Sequence, residues 1–309
     1  MIGVPFALAA AIGAWLLLAP APEPRTAAVP APAAPAAPVP LPTIVPVPLP
    51  PPAPPAATIP VGTRTAEEIE AAVQPIFAAS HLAENPRILV LTFASLAEQA
   101  AMLNRVAAFI EKAGQPRDRV LNDAELAVAT APNPSTYYLG HDYGVGSLRR
   151  FFAAADRDGI VLNSLEERLR QILTQEGMML APEGQGAVVS VPAPEPDLDA
   201  QARLAVLRHE LSHGEFFTNP DYAAWTFRFW REYLSDAERR AFRTFLAKLD
   251  YDPANEELMA NETQAFLVHT PDSRFFSAAA VGLPPAVINR LRGFFVAGMP
   301  DGWLKERSR

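Results

Sequence analysis

Two of the chain's five histidines, His209 and His213, stand four residues apart in the stretch RHELSHGEFF, and Glu210 directly follows the first. On a helix, positions i and i+4 lie about 40° apart around the axis and one turn apart along it, so both imidazoles can converge on one metal ion. Glu210 borders the same face, near enough to take a proton from a metal-activated water without itself being a ligand. With this composition the pattern is expected by chance only about 0.005 times in such a chain. A hydrolytic zinc site needs three protein ligands and one open position, so a third ligand must come from elsewhere. The leading candidate is Glu262 in ELMANETQAFLVHT. Asp221, Glu256 and Glu257 are alternatives, but each falls in the first turn of an expected helix, where an acid is stabilising without any metal.

The elements that must position these groups are partly legible. DLDAQARLAVLRHELSHGEFF reads as a helix opened by Leu198 and Asp199, with Gly214 expected to end it. Upstream, residues 187–191 (AVVSV) are expected to form an edge strand beside that helix, where an extended peptide can add its own backbone. Asn219 and Pro220 are expected to cap and start the next helix, whose Tyr222, Trp225, Phe229 and Tyr233 recur at helical spacing as a core-facing stripe, with Phe227 and Trp230 beside it. A helix from near Asp252-Pro253 to just before Pro271 carries Glu262. If it persists, His269, seven residues on, faces the same way and can donate to the oxyanion of a tetrahedral intermediate; the plainer reading is a histidine at the C-terminal carbonyls. His141, with Tyr138 and Tyr143 in YYLGHDYG, is expected in a structural loop. Glu215 reads as a surface acid, and His81 receives no role.

Capping boxes at Thr65/Glu68, Ser95/Glu98, Ser164/Glu167 and Ser235/Glu238 predict helices near 65–79, 95–113, 164–177 and 235–249. Strand-like runs lie between them at 87–93, 135–139, 159–162 and 187–191. From about residue 199 onward the pattern is almost wholly helical. Mixed strands and helices followed by a mainly helical half imply an α+β fold. The folded domain is expected over 62–309, an α/β lobe at 62–185 and a helical part carrying the site at 186–309.

The preceding text cannot join that core. Of the 33 prolines, 17 fall between Pro20 and Pro60, where missing N–H donors and fixed φ exclude helix and sheet interiors; residues 21–61 therefore read as a disordered, extended tether. Residues 1–20 (MIGVPFALAAAIGAWLLLAP) are apolar, with no Lys or Arg before Arg25, and read as a cleaved export signal or an uncleaved membrane anchor, a buried segment being the third reading. Either leading reading puts the domain in the periplasm or outside the cell. The net charge of −8 argues against a nucleic-acid partner, since phosphate binding needs a basic face. The absence of cysteine excludes disulfides, thiolate zinc ligands and a cysteine nucleophile.

H-E-L-S-H followed by N-E-x-x-A-F resembles the zincin metallopeptidases, in particular their glutamate-liganded gluzincin branch. The resemblance covers roughly residues 186–270 and implies a zincin-like fold, Zn2+ held by His209, His213 and Glu262, Glu210 as general base, and a peptide or protein substrate. The extended motif with a third histidine is absent, because Phe216 and Asn219 stand at its glycine and ligand positions. That branch often has an Asp four residues after the ligand Glu to orient a histidine; here Phe266 stands there, so the orienting partner is not legible. An envelope-tethered interaction protein with a structural or vestigial zinc site, and a hydrolase of some non-peptide amide, are the competing functions.

Overall fold

The computed structural model describes residues 57–112, 114–131, 134, 138–182 and 184–308; the apolar segment 1–20 and the proline-rich text up to residue 56 lie outside them. The described residues open with strand β1 (Val61–Arg64), helix α1 (Ala66–Ala71) and strands β2 (Ala78–Leu82) and β3 (Asn85–Phe93). Helices α2 (Leu96–Ile110) and α3 (Asp123–Thr130) follow, then strand β4 (His141–Gly144), helices α4 (Val145–Arg157) and α5 (Ser164–Gln175), and strand β5 (Ala187–Pro192). From Ala200 the described residues form helices without strands: α6 (Ala200–Thr218), α7 (Pro220–Arg228), α8 (Asp236–Ala247), α9 (Glu256–Gln264), α10 (Ala278–Val281), α11 (Pro285–Gly298) and α12 (Trp303–Arg307). The fold is α+β, with one five-stranded mixed sheet in the order β1-β2-β3-β5-β4.

β3 and β5 pair in parallel at the sheet's centre, from Ile88 opposite Ala187 to Phe93 opposite Pro192. Their near-continuous apolar runs suit strands covered on both faces. Leu89, Leu91 and Phe93 point into a core shared with α2, α4 and α5. The alternate residues Ile88 and Val90, with Val189 and Val191 of β5, pack against α1 and α6. A second core of aromatic character, including Phe216, Tyr222, Trp225, Phe229 and Phe295, joins α7 to α12. Asn219 does cap α7 with Pro220 at its first position, and the expected stripe is buried apart from Tyr233, which is 41% exposed.

Several expectations are corrected. The helix predicted over 65–79 ends at Ala71, and Ala78–Leu82 is instead a strand paired antiparallel with β3; Pro75, lacking an N–H, stands between the two. The AVVSV run is not an edge: β5 lies between β3 and β4, and β4 occupies the edge. The segment at His141 is therefore strand, not loop, with His141 opposite Ser190 and Gly144 opposite Ala187. The run 159–162 forms no strand; it follows α4, turns at Gly159 (φ 64°) and sends Leu162 into the core. The strand expected at 135–139 lies partly outside the described residues, and Tyr138 and Leu139 are not in a strand. Gly214 does not stop α6, which runs on to Thr218. A Cβ there would sit 3.0 Å from Ile88 Cδ1 and Cγ2, so the glycine serves close helix–sheet packing instead.

Candidate metal centre

α6 is capped by Asp199, whose carboxylate accepts from Ala202 N at 2.8 Å and pairs with Arg274 at 2.6 Å. Its apolar side lies on β5 and β3, which turns the next face, carrying His209, Glu210 and His213, toward the end of β4 and toward α9. α9 supplies Glu262. The Nε2 atoms of His209 and His213 are 3.0 Å apart, with the Glu262 carboxylate 3.5 Å from the first and 3.6 Å from the second. One ligand atom from each of the three residues falls within a single 4.8 Å group. The other acids weighed for this position are elsewhere: Asp221 and Glu257 are exposed, and Glu256 accepts from Trp230 Nε1 at 2.7 Å and pairs with Arg243.

All three residues are buried, and so is Glu210. Burial pushes His209 down to about 3 and His213 to about 4, so both rings are neutral at physiological pH, the form that binds a metal. Burial raises Glu262, against the pull of His213 and of a hydrogen bond from Tyr251. Glu210 is raised by burial and by the charges of Glu262 and Glu111. Asp142, on edge strand β4, is raised by burial and by Glu210, with which its carboxyl shares a hydrogen bond; its Oδ2 lies 3.9 Å from His213 Nε2. Glu111, at the end of α2 and hydrogen-bonded by Tyr143 at 3.1 Å, is pushed up to about 8 by burial and by Glu262. Glu111, Asp142, Glu210 and Glu262 thus form an acidic cluster of raised proton affinity beside two neutral imidazoles, and a bound divalent cation would favour their ionised forms.

The fit to a metal can be judged from the donors. Glu262 Oε2 is buried without a hydrogen-bond partner, and the two Nε2 atoms meet with no protein group between them. Two nitrogens and one oxygen are a donor set that suits Zn2+. His209 Nδ1 hydrogen-bonds Thr270 Oγ1 at 2.9 Å, and the Phe266 ring stands 4.6 Å from the His209 ring. The position at which sequence reasoning sought an orienting acid therefore holds an aromatic wall, and the polar partner comes from Thr270.

His269 lies beside the triplet, not within it. Residues Ala265–His269 are wound as a π-turn, which shifts the phase of the side chains after Glu262. Tyr222 OH donates to Gln264 Oε1 at 2.6 Å and lies 3.1 Å from His269 Nε2, so it accepts the ring's proton. With His269 pushed down to about 3 by burial and its two histidine neighbours, the neutral ring holds one N–H, and Tyr222 takes it. Glu215 is a clear correction: it is not a surface acid but buried, accepting from Asn85 at 2.8 Å, Asn219 at 2.7 Å and Trp303 at 2.9 Å. His141 is buried, its Nδ1 2.8 Å from Tyr143 OH.

Sequence reasoning missed Asp142, Tyr251, Glu111 and Thr270, none of which carries a local motif. It also missed Gly140, where a Cβ would stand 2.4 Å from Glu210 Oε1. Fold and site together define an α+β protein with a buried two-histidine, one-glutamate triplet on two helices beside a sheet edge. The chain matches no protein-family model, no curated protein and no solved structure.

Proposed function

We propose that this protein is a zinc-dependent peptidase, and that His209, His213 and Glu262 hold the metal. The observation that carries the reading is the meeting of two Nε2 atoms and one carboxylate from separate helices, with Glu210 buried alongside. Zinc bound by such a set supplies a Lewis acid for a scissile carbonyl and lowers the pKa of water toward 7. Glu210, not a member of the triplet, is the general base: it takes the proton of the attacking water and returns it to the leaving amine. Its raised proton affinity suits both halves of that exchange. Gly140 holds the Glu210 side chain in place by leaving it room. β4, at the sheet edge and pairing only with β5 among the described residues, offers backbone groups to an extended peptide next to Glu210. His269 has no donor role here, since its proton is committed to Tyr222.

Three protein ligands favour a hydrolytic over a structural site, which closes with four. Asp142 is the nearest further acid, yet it does not join the 4.8 Å group. Export and a membrane-proximal location are part of the proposal through residues 1–20 alone; among the described residues no helix is long and apolar enough to cross a membrane. The test is Glu210→Gln in the full chain. The variant is expected to bind zinc as the wild type does and to lose casein hydrolysis by about 10²–10⁴-fold. Zinc-loaded wild type that cleaves no peptide would favour the interaction-protein reading, and full activity in Glu210→Gln would remove the base.

A further inference from the structure

We propose that Thr270 is the positioning residue of the site, fixing His209 as the Nδ1–H tautomer so that its Nε2 lone pair faces His213 and Glu262. A threonine hydroxyl has one proton to give, and a backbone carbonyl can only accept. Thr270 Oγ1 lies 2.9 Å from the Ala265 carbonyl oxygen and donates to it. The same oxygen lies 2.9 Å from His209 Nδ1, so in that contact it must accept, and Nδ1 must carry the hydrogen. A neutral imidazole holds one N–H, which leaves Nε2 bare. That bare nitrogen is the atom 3.0 Å from His213 Nε2 and 3.5 Å from Glu262 Oε2.

The π-turn Ala265–His269 makes this geometry, because Thr270 reaches back five residues to the Ala265 carbonyl while its oxygen stays turned to α6. The Phe266 ring stands against the His209 ring, centroids 4.6 Å apart at 66°, so an aromatic neighbour accompanies the hydroxyl contact at Nδ1. Both Thr270 and His209 are buried, and water does not compete for Nδ1. His213 lacks an equivalent hydroxyl: none meets its Nδ1, and the polar side chain beside its ring is that of Asn261. The site therefore has one imidazole set by a neutral hydroxyl, and the second set beside the Asn261 amide.

The proposal rests on the reading of His209 as a metal ligand, but its first test needs neither metal nor substrate. In metal-free full-length protein, the ring ¹⁵N resonances of His209, assigned by their loss in His209→Asn, are expected to report Nδ1–H. Thr270→Val keeps the shape and removes the acceptor; it is expected to lose that tautomer preference and to weaken Zn2+ binding by about 10–100-fold, measured against a competing chelator. Thr270→Ser restores the hydroxyl and is expected to restore both. An Nε2–H ring in the wild type, or wild-type tautomer and affinity in Thr270→Val, overturns the proposal. If Thr270→Val does not fold, wild type and Thr270→Ser decide: Nδ1–H in both upholds it, and Nε2–H in either overturns it. A correct tautomer in a protein that hydrolyses nothing leaves this positioning intact and sinks only the peptidase reading.

Discussion

Gly140→Ala tests whether Glu210 sits where the chemistry needs it. The added Cβ would stand 2.4 Å from Glu210 Oε1 and 2.7 Å from both Cδ and Cγ, whereas ordinary contact begins at 3.4 Å. The carboxylate must retreat by 3.4 − 2.4 = 1.0 Å, and because Cγ is also too close, turning the carboxyl alone does not relieve the clash. The glycine is not needed for its backbone, since Gly140 is not among the positive-φ residues. A misplacement near 1 Å at a reacting group costs on the order of 10²-fold, or about 2.7 kcal/mol of barrier. The overpacking itself costs roughly 1–3 kcal/mol of stability. The three nearest atoms all belong to Glu210, so zinc stoichiometry is expected to stay at the wild-type value. The assays are kcat/KM on casein-derived peptides, metal content, and a thermal double-mutant cycle. In a Glu210→Ala background Gly140→Ala should cost little further stability, because the clashing group is gone. Wild-type kcat/KM in folded, zinc-loaded Gly140→Ala, or a strictly additive cycle, refutes the reasoning.

The metal-free protein should lose stability as pH rises from 7 to 8.5. Glu111 is raised from 4.5 to about 8, and Asp142, Glu210 and Glu262 are raised as well, so over this window the folded state holds protons that the unfolded state has released. The buried histidines, pushed down from 6.5, oppose this only at lower pH. Urea midpoints should fall across the window, fall less in Glu111→Gln and less when zinc is bound; a rising midpoint contradicts the cluster. In the helical half, Gly298→Ala puts a Cβ 2.2 Å from two Trp225 ring atoms and should cost about 1–3 kcal/mol, with the melting temperature falling by several degrees and zinc stoichiometry unchanged. An unchanged melting temperature would place Trp225 elsewhere.

What could be read from the sequence was local. His209, Glu210 and His213 are placed by one helical turn, and the helix is marked by Asp199 and its apolar run. Glu262 was singled out as a downstream acid some fifty residues past the first motif, within N-E-x-x-A-F. Asp142 and Thr270 were not, because each acquires its role from a partner on another element: Thr270 meets His209 across 61 residues. Glu215 looked like a surface acid because its satisfying donors, Asn85 and Trp303, lie 130 and 88 residues away. Gly214 carries the letter of a helix stop, but its meaning depends on Ile88 in the sheet beneath. Capping boxes at Thr65 and Ser235 mark true helix starts. The box expected at Ser164/Glu167 lies one residue earlier, at Asn163/Glu166, that of α3 begins on Asn122, which a search for serine and threonine passes over, and α4 has no side-chain cap at all. Strand order was invisible, because an apolar run such as 187–191 marks a strand without saying whether it lies at the edge.

The most direct measurement is the metal content of the purified full-length chain, wild type against Glu262→Ala, after dialysis against Zn2+ buffered at micromolar free concentration. One zinc per wild-type chain and a clear loss in the variant is the predicted result. A wild type that retains no divalent cation, or a Glu262→Ala chain that binds zinc as tightly as the wild type, contradicts the account.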